Sequence, residues 1–256
     1  MWDWIAKLQE LREARAPFVA VTVVECAGST PRDPGAKMLV LADGFFGTIG
    51  GGRLELLALE EARKILAEGG ESRKIRYPLG AKTGQCCGGI VELFFDAVNR
   101  CPELYVFGAG HVGLALVRTL TGTPFRVHLI DPRAEWVGHV AIPGGVVRHE
   151  CAWDEFVADA RWSARDVYVA VMTHEHAMDQ DIIADVVNRE TRYVGLIGSV
   201  SKWERFKQRY SSRGLAPACF ERVRCPIGLH VAGKAPQEVA ISVAAELLAE
   251  YYGAPA

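Results

Sequence analysis

Leu104-Tyr105-Val106-Phe107-Gly108-Ala109-Gly110-His111-Val112-Gly113 decides the fold of this chain. Four apolar residues that suit a buried strand run straight into G-x-G-x-x-G, and the apolar spacing of residues 111–120 then continues as a helix. Each glycine has a mechanical reason in a strand–turn–helix. The first allows the tight turn, the second lets backbone approach a pyrophosphate, and the third lets helix and strand pack. The helix N-terminus would face the anion. Gly108, Gly110 and Gly113 are therefore candidate ligand contacts within a Rossmann-like unit.

The downstream sequence keeps the same rhythm. Strands are expected at Arg126–Ile130, Val146–Arg148, Val167–Val171 and Tyr193–Ile197. A helix striped by Ile182, Ile183, Val186 and Val187 lies between the last two, and alternating strands and helices imply a parallel sheet. Pro236 opens a closing helix with Val239, Val243 and Leu247 on one face, and Gly253 ends it. Asp131 follows the second strand, where an acid accepts a ribose hydroxyl in dinucleotide folds. Thr173-His174-Glu175-His176 and Gly198-Ser199 follow later strands, so all should converge on the carboxyl edge of the sheet. His174 and His176 offer polar contacts or a proton donor near neutral pH, and Ser199 a hydroxyl. Their spacing is not the His-Glu-x-x-His of a zinc protease. NAD(P) is the ligand the glycine motif suggests, although a Rossmann scaffold does not by itself fix its ligand.

Upstream, the pattern differs. A helix from about Trp2 to Arg15 is expected, then strands at Phe18–Val24, Met38–Leu41 and Ile90–Phe95. A further helix carries Leu54, Leu57, Ala58, Ala62 and Ile65 on one face and stops at Gly69-Gly70. The polar stretch from Asp96 to Glu103 marks the change of rhythm. It divides the chain into a mixed α/β domain, residues 1–100, and a Rossmann-like domain, residues 101–256.

Three glycine-rich turns stand out in the first domain: Gly28–Arg32, Gly47–Glu55 and Gly84–Gly89. Any one alone reads as a structural corner, but three together suggest cradles for an anion. Arg32 adds a planar donor fork, and Gly51, Gly52 and Glu55 belong to the second turn. In the third, Gly84-Gln85-Cys86-Cys87-Gly88 puts two thiols in a polar loop rather than an apolar run. A thiolate is a soft donor suited to transition metals, and loop amides would favour it. Adjacent cysteines are poorly placed to chelate one metal together, so one active thiol with a supporting neighbour is expected.

Composition excludes several classes. With 29 Lys plus Arg against 31 Asp plus Glu in 256 residues, there is no basic field for nucleic acid. Half the residues are apolar, yet no apolar run approaches a membrane span. The start lacks a secretory pattern, so a cytoplasmic protein is expected. Seven cysteines form an odd, scattered set without Cys-x-x-Cys spacing, which points to thiols rather than a disulfide framework or a zinc ribbon.

Together these motifs resemble the XdhC/CoxI-type accessory proteins that mature xanthine dehydrogenase and related molybdenum hydroxylases. The resemblance rests on Gly28-Ser29-Thr30-Pro31-Arg32 with Pro34–Met38, on Gly47–Gly52 with Leu54-Glu55, and on Gly84–Gly89. In the second domain it rests on Phe107–Gly113, Thr173–His176 with Asp179, Tyr193–Ser199 with Lys202, and Pro226–Leu229 leading to Pro236–Glu238. Thr30 departs from the Ala or Ser usual in the family. The resemblance implies a molybdenum cofactor chaperone rather than a catalyst: it binds and protects the cofactor, supports its sulfuration and inserts it into an apo molybdenum hydroxylase. It also implies a homodimer working with a cysteine desulfurase. Within the Gly84–Gly89 loop it assigns cofactor binding, with a molybdenum contact, to Cys86 or Cys87, Cys86 being favoured. The alternative is an NAD(P)-dependent oxidoreductase in which His174 or His176 handles the proton.

Overall fold

The computed structural model describes residues 3–14, 16–68, 72–79, 89–98, 101–212, 214, 217–229 and 233–253. Trp2, Arg15, Gly69, Gly70 and residues 80–88, with Gly84, Gln85, Cys86, Cys87 and Gly88, lie outside these. The chain divides into two compact units, Met1–Cys101 and Pro102–Ala256.

The first unit contains α1 (Asp3–Glu13), β1 (Phe18–Ala27), β2 (Lys37–Val40), β3 (Phe45–Gly47), α2 (Gly52–Glu68), β4 (Arg73–Pro78) and β5 (Ile90–Val98). Its strands form one antiparallel sheet in the order β3-β2-β1-β5-β4. Period-two alternation along β1 and β5 sends Val19, Val21, Val23, Leu93 and Phe95 to one face. There α2 lays down Leu54, Ala58, Ala62 and Ile65, four residues at helical spacing, all buried. The sheet and this helix thus share a single dry layer.

The second unit runs β6 (Glu103–Phe107), α3 (His111–Thr119), β7 (Arg126–Ile130), α4 (Ala134–Val137), β8 (Val147–His149), α5 (Trp153–Asp159), β9 (Ser163–Val171), α6 (His176–Val186), β10 (Thr191–Leu196), α7 (Val200–Ser212), β11 (Val223–Arg224) and α8 (Pro236–Tyr252). The sheet is parallel, in the order β11-β10-β9-β6-β7-β8. Chain order reverses between β6 and β9, the switch point at which doubly wound sheets open a crevice. Helices cover both faces. α3 and α8 bury Leu116, Val117, Val243 and Leu247 on one side, while α5, α6 and α7 bury Phe156, Ile183, Trp203 and Phe206 on the other. Burial on both sides explains why β6 and β9 read as continuous apolar runs. Among the described residues, no helix is long and apolar enough to cross a membrane.

Candidate functional site

In the first unit, two of the three glycine turns and the foot of the third meet at the end of β1. A side chain at Gly50 would strike Pro31, its Cβ 2.7 Å from that of the proline, and one at Gly89 would sit 2.4 Å from the Ser29 carbonyl. The Leu79 amide donates to the Gly89 carbonyl at 2.7 Å. Gly50, Gly51 and Gly52 all have positive φ, a conformation glycine adopts without the Cβ penalty.

Glu55 is the internal brace of this corner. Its Oε2 accepts hydrogen bonds from the Thr48 hydroxyl and from the amides of Ile49 and Gly51, both at 3.1 Å. The Gly51 amide is thereby taken by the protein itself. Glu55 also places a negative charge in the first turn of α2, the favourable end of the helix dipole. The Arg32 side chain is exposed and has no partner among the described residues, while its carbonyl accepts from Cys26 Sγ and Thr30 Oγ1.

In the second unit the roles of the glycines separate. A Cβ on Gly108 would lie 2.4 Å from the Met172 carbonyl oxygen, and one on Gly113 would lie 2.0 Å from the Gly108 carbonyl oxygen. Both positions are closed by packing. Gly110 is different: nothing lies within 4 Å of its Cβ position, which leaves room for a ligand to approach the backbone. The loop that begins α3 thus retains a cradle that suits an anionic group.

Asp131 lies at this loop but is already engaged. Its Oδ2 accepts from the Ala109 amide at 2.8 Å and from Arg133 Nη2 at 2.7 Å, and its Oδ1 accepts from the Arg133 amide and Nε. Burial pushes the carboxyl pKa upward, but the hydrogen bonds from Arg133 and Ala109 outweigh it and hold the net value below the ordinary range. Accepting a ribose hydroxyl would require Arg133 to yield part of this fork. Arg133 in turn lies over the Trp136 ring, 5.2 Å from its centroid.

The loops after β9 and β10 are tied by an ion pair to which the sequence alone assigns no role. Asp179 is fully buried and accepts from the Thr173 amide at 3.0 Å, from Thr173 Oγ1 at 2.7 Å and from Lys202 Nζ at 2.7 Å. Lys202 also donates to the Ile197 carbonyl at 3.0 Å. Ser199 caps α7, its Oγ accepting from the Lys202 amide at 3.1 Å. His174 and His176 are exposed, with His176 Nδ1 3.9 Å from Asp179 Oδ2. A cavity of about 590 Å³ opens here, bounded by Thr173, His176, Ser199 and α7.

A second polar cluster is not visible in the sequence because its members are far apart in the chain. Glu103 Oε2 meets His128 Nε2 at 2.6 Å, and His128 Nδ1 meets His149 Nε2 at 2.9 Å. Parallel pairing of β6, β7 and β8 brings these residues together.

Comparison with known proteins supplies the remaining context. The family model described as the XdhC Rossmann domain matches residues 104–247, and that of the XdhC and CoxI family matches residues 11–78. The uncharacterized protein YqeB of Escherichia coli (strain K12) is 30% identical over 254 residues, covering 96% of this chain and 46% of that protein. The molybdenum cofactor insertion chaperone PaoD of the same organism is 25% identical over 265 residues, covering 90% of this chain and 82% of that protein. A probable xanthine dehydrogenase subunit of Bacillus subtilis (strain 168) is 27% identical over 157 residues, 61% of this chain and 45% of that protein. The chain therefore spans less than half the length of YqeB, and the matched stretch less than half that of the Bacillus subtilis protein. A crystal structure of a xanthine dehydrogenase from Bacillus halodurans superposes with a TM-score of 0.53 at 20% identity, covering 98% of this chain and 96% of that one. That likeness concerns the fold.

Proposed function

The chain belongs to the XdhC and CoxI family, and from that premise we propose that it is a molybdenum cofactor chaperone. In this reading it binds the cofactor as cargo, shields it, supports replacement of an oxo ligand by sulfur and inserts it into an apo, xanthine dehydrogenase-like hydroxylase. The observation that carries the proposal is the similarity to a molybdenum cofactor insertion chaperone over 90% of this chain and 82% of that protein.

The chain's own chemistry is compatible. Cys86 or Cys87 supplies the soft thiolate that a molybdenum centre accepts. Arg32, exposed on the adjoining turn, supplies a guanidinium for an anionic portion of the cargo. In the second unit, the open backbone at Gly110 and the α3 N-terminus can take a phosphate. A cytoplasmic homodimer that receives sulfur from a cysteine desulfurase completes the proposal.

The oxidoreductase alternative has less behind it. Asp131, the residue on which ribose recognition would depend, is engaged at both oxygens by Ala109 and Arg133. The chaperone reading is tested by incubating cofactor-loaded protein with a purified apo-hydroxylase. Hydroxylase activity that rises with the amount of loaded protein is expected, and no activation at stoichiometric loading would contradict insertion.

A further inference from the structure

We propose that the cleft between the start of α6 and the first turns of α7 is a phosphate-binding site, separate from the glycine loop of the same unit. Lys202, Arg205 and Arg209 recur at i, i+3 and i+7 and so share one face of α7, and all three border the 590 Å³ cavity. Among the described residues, no carboxylate lines that cavity. The charge of Lys202 is matched from beneath by buried Asp179, whereas Arg205 and Arg209 form no ion pair among the described residues. Two guanidinium groups therefore face the space without a counter-charge, and each presents the planar donor fork that fits a phosphate.

Hydrogen-bonding capacity is concentrated at the same place. Ser199 caps the Lys202 amide, which leaves the first amides of α7 and the Ser201 hydroxyl at the mouth of the cleft. Behind the arginines, Gln180 is only 3% exposed with its Oε1 accepting from Arg209 Nη1 at 3.2 Å, and its Nε2 has no partner among the described residues. The Gln180 carbonyl oxygen thus holds one donor of Arg209 from behind and leaves the rest of its fork to the cavity. The Asp179–Lys202 pair fixes the floor, because it ties the loop bearing Thr173 to the loop bearing Ser199.

The source of the phosphate is named from the chaperone reading, in which it is the phosphoryl end of the cargo. The site itself rests on the arginines of α7 and the cavity they border. Titration calorimetry of the full chain with inorganic phosphate tests it. Arg205→Ala with Arg209→Ala should weaken phosphate binding at least about tenfold, and Arg205→Ala alone, at an exposed side chain, should weaken it in the same direction with the melting temperature kept. Lysine at both positions should restore part of the affinity. In a Gly110→Ala background, where an anion on the glycine loop is obstructed, the double alanine substitution should still weaken phosphate binding at least about tenfold. Equal phosphate affinity in the wild type and the double alanine variant, or a loss confined to Gly110→Ala, would overturn the proposal. Phosphate bound in the cleft of a protein that retains no cofactor would leave the site standing and remove the chaperone reading. Cofactor retained without phosphate binding would do the reverse.

Discussion

Asp179 and Lys202 form the buried ion pair that holds two loops of the second unit in register, Oδ2 to Nζ at 2.7 Å with side chains 1% and 12% exposed. Taking two charges out of water costs several kcal/mol, and the pair recovers this only because Thr173 and the Ile197 carbonyl satisfy the remaining valences. Removing one partner leaves the other charge stranded. Lys202→Met should destabilise the protein by about 3–5 kcal/mol, and Asp179→Leu added to it should return part of that loss. Urea unfolding of the two variants checks this, and a double variant no more stable than the single would argue against the pair.

The glycine motif makes a sharper prediction, because its glycines differ in what surrounds them. Gly113→Ala would drive a methyl to 2.0 Å from the Gly108 carbonyl, so strand and helix must separate. A cost of roughly 1–3 kcal/mol or more follows. Gly110→Ala meets nothing within 4 Å and its φ is -65°, so its cost should stay under about 1 kcal/mol. Thermal melts of the two variants decide it, and equal destabilisation would show that the loop packs otherwise.

Glu55 braces the second glycine turn through three hydrogen bonds to one oxygen. Glu55→Ala should cost about 1–3 kcal/mol, because the Ile49 amide lies at a buried residue and loses its acceptor. Glu55→Gln keeps an acceptor oxygen and should cost less. Chemical denaturation distinguishes them, and an alanine variant as stable as the wild type would deny the brace.

His149 carries a pH dependence of known sign. Burial first, then the neighbouring His128 and Arg126, lower its pKa below the ordinary imidazole value. The unfolded chain then binds the proton more readily than the folded one, so stability falls as pH drops through the imidazole range near about 6.5. His149→Gln abolishes that contribution. The difference in melting temperature between wild type and variant should therefore narrow from about pH 7.5 to pH 5.5. A difference constant with pH would contradict the burial of this ring as the cause.

Much of the fold is legible in the sequence because periodicity and punctuation agree. Phe107–Gly113 marks the strand–turn–helix, and the apolar stripe of α2 from Leu54 to Ile65 matches the buried face. Elements with polar or mixed residues are not legible. β4 reads Arg-Lys-Ile-Arg-Tyr-Pro and gains its place from pairing with β5. α7, rich in charge, turns only Trp203, Phe206 and Tyr210 into the core. At the candidate site, residue types are readable but partnerships are not. Asp131 reads as a ribose acceptor, yet Arg133, two residues on, holds both its oxygens. Asp179 and Lys202 are 23 residues apart, and only parallel pairing of β9 with β10 joins them.

The thiol loop supports a prediction from sequence and family. Cys86→Ala or Cys87→Ala should lower the amount of molybdenum cofactor retained on purification without changing the melting temperature. Unchanged retention in both single variants would exclude the thiols as contacts.

Carriage of molybdenum cofactor by this chain is checked by purifying the protein anaerobically from a host that makes the cofactor. Molybdenum by mass spectrometry and the fluorescent oxidised pterin are then measured in the same denatured sample. Near-equimolar amounts of both, relative to protein, are predicted. A folded protein that contains neither would contradict the account.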